Sequence, residues 1–178
     1  MTAGMCATPA QLSAVSGIGE SAAVFISFIK DFNRFVQMRK VEEECKALKT
    51  LDECGAYLYP KFLGRRNEVV YMLCLDSKCK VLSCKMLGEG SVNSAAVPIR
   101  RIVEHALNMN ASIVVLAHNH PSGVALPSSD DIQTTRVLAN ALQAVDVFLA
   151  DHIIYSDDEF ISLCISGYFA GEGVFSGL

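Results

Sequence analysis

A chain of 178 residues, 51% of them hydrophobic and with a net charge of −4, suits one compact domain with a small appendage. Its acidic balance excludes a basic nucleic-acid surface over the whole chain, leaving room only for a local patch, and no stretch approaches the roughly 20 apolar residues of a membrane span. Seven cysteines with no Cys-x-x-Cys pair exclude a thioredoxin motif and a cysteine zinc knuckle, and read as reduced thiols.

Met1–Cys6 has neither the basic start nor the apolar core of a secretion signal, so a cytoplasmic protein is expected. Thr8-Pro9 supplies an N-cap hydroxyl and a proline at the first helical position. Gly17-Ile18-Gly19 breaks this helical pattern, and a longer helix resumes near Glu20. Val24, Phe25, Phe28, Ile29, Phe32, Phe35 and Val36 then recur at three- and four-residue spacing as an apolar stripe. The charged run Val41-Glu42-Glu43-Glu44 reads as a solvated hinge, with a boundary near residue 45.

Thr50 with Glu53 forms a capping signature for a helix through about Leu63, and 64–67 is a turn. Residues 68–76 and 80–87 read as a hairpin, and Gly88-Glu89-Gly90-Ser91 as a loop that could form a flap. Pro98 to Asn108 is an amphipathic helix with Ile102, Val103, Ala106 and Leu107 on its apolar side. Ile113-Val114-Val115-Leu116 is a buried strand. Ser128 opens a helix carrying Ile132, Val137, Leu138, Ala141 and Leu142. Two short strands, 145–150 and 152–155, and a turn at Asp157-Asp158 complete the series. Strands alternating with helices predict an α/β fold, a mixed β-sheet flanked by helices on both sides.

The strand at 113–116 leads into His118-Asn119-His120-Pro121-Ser122-Gly123, with Ser128 and Asp131 shortly after. Residues two apart on a strand share a face, so both imidazoles point one way, and Pro121 stops the strand beyond them. Asp131, in the first turn of its helix, would complete a His₂-carboxylate zinc site with the fourth position open, as catalytic zinc requires. A sheet-edge hydrogen bond for the histidines and an ordinary Ser-x-x-Asp capping box are the plainer readings, and the second is compatible with the metal site. Such a centre needs a proton acceptor, for which Glu68, Glu89, Glu104 and Asp151 are the candidates. Glu68 leads slightly, because it begins an apolar strand where burial raises a carboxylate's pKa.

His118-x-His120, seven residues, then Ser128-x-x-Asp131 resembles the JAMM (JAB1/MPN) metallopeptidase motif. The longer string from His118 to Gly123, with Pro127-Ser128 after it, is similar to the bacterial RadC branch of that superfamily. Glu68 to Asp76 matches the branch's first core strand and Asp151-His152-Ile153-Ile154 its closing one, so the likeness covers about residues 10–169. It implies a JAB1/MPN-like, cytidine-deaminase-like three-layer domain at 46–178. It also implies Zn²⁺ held by His118, His120 and Asp131, Glu68 as proton shuttle, and Ser128 as a donor to the oxyanion or the attacking water. Asp151 and His152 match an Asp-His pair, expected either to support the ligands or to serve the core.

Leu12 to Gly19 resembles a helix-hairpin-helix turn, whose backbone amides grip DNA phosphates without reading sequence. Gly17 and Gly19 would make that weak, nonspecific DNA contact; a tight interhelical turn is the alternative, strengthened by Glu20 directly after it. Proteins of RadC type carry further helices upstream, so residues 1–45 are expected to be a partial helix-hairpin-helix-like segment.

Two functions follow. One is a zinc metallopeptidase cleaving an amide or isopeptide bond in a peptide substrate. The other is a DNA-repair-associated or DNA-binding module whose zinc is structural or vestigial. Zinc deamination of a nucleobase ranks below both, since it needs a glutamate beside the first ligand and a downstream Pro-Cys-x-x-Cys, neither of which is present. Substrate identity and oligomeric state are not readable at this level.

Overall fold

Local pattern and long-range pairing combine into α-helices packed on a five-stranded mixed sheet in the computed structural model, which describes residues 7–44, 47–90, 98–121, 123–156 and 159–170. The helices are α1 (Pro9–Ser13), α2 (Glu20–Glu44), α3 (Leu51–Phe62), α4 (Ile99–Asn108) and α5 (Ser129–Gln143). The strands are β1 (Val69–Leu75), β2 (Val81–Glu89), β3 (Ile113–Asn119), β4 (Phe148–Ser156) and β5 (Glu159–Ser162). Their order is β2-β1-β3-β4-β5, with only the β3–β4 pair parallel.

Strand alternation divides the core into two. Val70, Met72 and Cys74 of β1, with Val114 and Leu116 of β3, pack against α4 and α5. Val69, Tyr71, Leu73 and Leu75, with Val115 and Ala117, pack against α3 through Leu58 and Phe62. Both faces of the central strands are therefore buried, which explains their unbroken apolar runs. Each fully buried Leu or Met contributes about 1.5–3 kcal/mol. Helix starts follow the capping signatures, with Thr8 and Gln11, Thr50 and Glu53, and Ser128 and Asp131 each bonding reciprocally.

Four expectations are corrected. The two short strands at 145–150 and 152–155 are one, β4, because the buried polar pair Asp151-His152 finds partners inside the fold; residues 144–146 form a turn with Asp146 at φ 58°. Gly88 and Glu89 are strand rather than loop: they continue β2 opposite Val70 and Val69, and Gly90 N donates to Glu68 O. Leu107, expected on the apolar side of its helix, is 48% exposed, as is Val137 of α5. On α5 the inward stripe is Asp131, Thr135, Leu138 and Leu142, so two polar residues occupy positions that an apolar count passes over.

Val41–Glu44 is the last turn of α2 rather than a hinge, in keeping with the helix propensity of glutamate. The boundary near 45, the turn at 157–158 and Ser91 lie outside the described residues. No helix of the described residues is long and apolar enough to cross a membrane, and no disulfide joins the described cysteines.

Candidate metal centre

β3 carries His118 on the same face as Val114 and Leu116, and the strand period brings His120 to that face too. His118 is fully buried, whereas His120 stands half-buried at the strand end. Facing them is the start of α5. There Ser128 Oγ accepts from Asp131 N (3.1 Å), while Ser128 N and its hydroxyl both donate to Asp131 Oδ2 (2.9 and 2.6 Å). The capping box thus sets the direction of the Asp131 carboxylate. Oδ1 lies 3.5 Å from His118 Nε2, Oδ2 lies 3.7 Å from His120 Nε2, and the two Nε2 atoms are 2.9 Å apart.

Three donors at about 2.0–2.1 Å from one tetrahedral zinc stand roughly 3.3–3.4 Å from each other. The separations among the two Nε2 atoms and the two carboxylate oxygens, 2.9 to 3.7 Å, bracket that value, and two imidazoles with one carboxylate form a donor set suited to zinc. Among the described residues, His118, His120 and Asp131 are the group that could hold a metal ion. They leave a tetrahedral ion one further position.

Hydrogen bonds behind the ligands assign their protons. His120 Nδ1 donates to Val124 O (3.0 Å), which leaves Nε2 as the lone-pair nitrogen. His118 Nδ1 is 2.8 Å from His152 Nε2, His152 Nδ1 is 2.6 Å from Thr135 Oγ1, and Thr135 Oγ1 donates to Asp131 O at 2.6 Å. One direction of donation satisfies every member: His118 to His152, His152 to Thr135, Thr135 to the Asp131 carbonyl. It leaves His118 Nε2 with its lone pair toward the centre. A buried chain thereby links one ligand to the backbone of another.

Electrostatics agree with neutral imidazoles at the back of the site. Burial pushes His118 down to about 4 and His152 well below the usual imidazole value. His120 is raised, chiefly by its bond to Asp131. Glu68 is raised above the ordinary carboxylate value by burial and by Asp131, with His120 opposing.

The four candidate bases separate cleanly. Glu104 pairs with Arg100 at 2.8 Å on the exposed side of α4, and Glu89 lies 3.4 Å from Arg65. Asp151 accepts from Ser162 Oγ (2.5 Å), Cys164 N (3.1 Å) and His152 N (2.7 Å), tying β4 to β5 and the turn after it. Glu68 feels both His120 and Asp131. The β1–β3 register places Val70 opposite His118, with Glu68 two residues before the one and His120 two residues after the other, and Glu68 lies near enough to His120 for its charge to be felt.

Two contributors were not found from the sequence. Asn119 faces away from the histidines, and its Oδ1 accepts from Val69 N (2.8 Å) while its Nδ2 donates to Asn67 O (3.2 Å). It clamps the backbone on both sides of Glu68. Thr135 is the other, and its signal was a polar residue four positions after Asp131, on the same helix face. Gly17 and Gly19 take no part in the centre; they belong to the α1–α2 turn, where only Gly17 needs a positive φ (90°).

A family model described as RadC-like JAB domain matches residues 48–168. A UPF0758 protein of Photobacterium profundum is 40% identical over 136 residues, 75% of this chain and 61% of that protein. A UPF0758 protein of Aliivibrio fischeri is 33% identical over 152 residues, 85% of this chain and 67% of the relative. One from Vibrio atlanticus is 34% identical over 162 residues, covering 91% and 72%. The chain thus spans about three-fifths to three-quarters of the length of these relatives.

Proposed function

Because the chain belongs to the RadC-like JAB domain family, we propose that it is a zinc-dependent hydrolase of an amide or isopeptide bond. The observation that carries this reading is the triangle of His118, His120 and Asp131, which leaves a tetrahedral ion one position on the face that Glu68 shares. A structural zinc would close that position with a fourth protein ligand. When bound, the ion supplies Lewis acidity, polarising a carbonyl oxygen and acidifying water.

Glu68 takes the proton of the attacking water on its carboxylate and returns it to the leaving amine. Its raised pKa suits both halves of that exchange. Asn119 holds the backbone on either side of it, so the carboxylate is aimed before substrate arrives. Ser128 serves the developing oxyanion by turning its hydroxyl from Asp131 Oδ2, which retains the Ser128 N–H as a donor. The substrate class is a peptide or Nε-linked lysine conjugate.

A DNA-binding role through the α1–α2 turn has less support. Glu20 occupies the first turn of α2, where a phosphate would need a neutral or basic neighbour.

Zinc titration by calorimetry, paired with a mass-spectrometric screen of dipeptides and Nε-lysyl isopeptides, tests the proposal. His118→Ala should abolish stoichiometric zinc binding. Glu68→Gln should retain the metal and lose about 10²-fold or more of the turnover. Equal zinc in the wild type and a His118/His120 double alanine variant would sink the assignment.

A further inference from the structure

The long helix α2 is amphipathic the wrong way round. It meets α1 and α3 through buried Ala23 and half-buried Ser27, Lys30, Arg34 and Met38, with Lys30 and Arg34 beside Leu63 and Gly64. Its apolar stripe faces outward, with Phe25, Phe28, Phe32 and Phe35 between 55% and 60% exposed. Isolated exposed phenylalanines are ordinary, but four along one helical face form a patch of the kind that marks an interaction site.

The phenylalanines and valines of the stripe are also arranged as a palindrome, while Ile29 of the stripe has Asp31 as its counterpart. About the level of residue 30, Val24 mirrors Val36, Phe25 mirrors Phe35 and Phe28 mirrors Phe32. Two copies of α2 laid antiparallel about a two-fold axis at that level would set the residues of the seam line, Phe25, Phe28, Phe32 and Phe35, against their mirror images. Phenylalanine would meet phenylalanine along the seam. Such reciprocity is what an isologous interface requires. At the centre, Phe28 and Phe32 are already stacked, with ring centroids 5.8 Å apart and planes at 22°.

The area is sufficient. Exposed aromatic and valine surface on the stripe comes to roughly 600 Å² per copy, taking about 200 Å² for a whole aromatic side chain. A pair would therefore bury about 1,200 Å², the lower bound of a stable interface.

We infer that this chain forms a two-fold homodimer through antiparallel pairing of α2, with Phe28 of each copy against Phe32 of the other. The seam is separate from the metal centre and independent of its chemistry.

Sedimentation equilibrium of the full chain tests this. The wild type should have twice the chain mass at micromolar concentration, while Phe28→Glu and Phe32→Lys should each sediment as monomers with unchanged helical circular dichroism. Mixing these two variants should restore the dimer, because the antiparallel register sets the new glutamate against the new lysine. Phe25→Glu with Phe35→Lys is a second such pair if either first variant loses its helical signal. A wild type monomeric throughout, dimers that survive both single substitutions, or variants that stay monomeric when mixed would each overturn the inference. A monomer that floats with phosphatidylcholine vesicles would likewise overturn it, reassigning the stripe to a lipid surface.

Discussion

Thr135 shows how much of a metal site lies outside its ligands. Its hydroxyl stands between the Nδ1 of His152 and the carbonyl of Asp131, and so joins the strand that carries the histidines to the helix that carries the carboxylate. Thr135→Val keeps the shape and removes the oxygen, leaving the His152 Nδ1–H buried without an acceptor. That costs about 1–3 kcal/mol of stability. It also frees His118 to turn its lone pair away from the centre, so zinc affinity should fall about 10- to 100-fold by competition titration. Thr135→Ser should restore both. An unchanged zinc affinity in the valine variant would mean that the ligands hold their tautomers unaided.

At the scale of elements, β4 shows why buried polar residues need not break a strand. Asp151 and His152 are both buried, yet each finds its partners within the fold. Burial, against bonds from Ser162, Cys164 and His152, holds the Asp151 carboxyl above the ordinary carboxylate value. A folded-state pKa above the unfolded one means that the folded chain keeps this proton longer as pH rises. The stability tied to it is complete below the unfolded value, near 4, and declines as pH climbs through the folded one. Asp151→Asn removes that titration. The stability margin of the wild type over the variant should therefore shrink as pH rises above about 4 in urea denaturation. A margin that widens with pH would show that the carboxylate is more easily ionised inside the fold than outside it.

Across the whole molecule, the centre bridges parts of the fold that the sheet alone does not join. His118 and His120 belong to β3, and Asp131 to α5, which packs over that face of the sheet. A ligand that binds only the folded chain stabilises it, by about 2.7 kcal/mol at a hundredfold excess over its Kd. Zinc at that excess should raise the melting temperature of the wild type by several degrees and leave Asp131→Ala unmoved in differential scanning calorimetry. Equal shifts in both would place the zinc elsewhere. The outward stripe of α2 belongs to this scale as well, because no periodicity says whether an apolar face meets the rest of its own chain or another copy.

What the sequence determined by itself was local: helix starts at Thr8, Thr50 and Ser128, the buried run of β3, and the shared face of His118 and His120. These rest on contacts two to four residues apart, which the chain makes whatever its surroundings. The tertiary structure alone decided which carboxylate shares that face, because Glu68 and His120 are brought together by strand pairing across fifty residues. It also placed His152 and Thr135 behind the ligands and turned the phenylalanines of α2 outward. Such relations form only when distant segments pack, and packing depends on the shape of both partners rather than on the pattern of either.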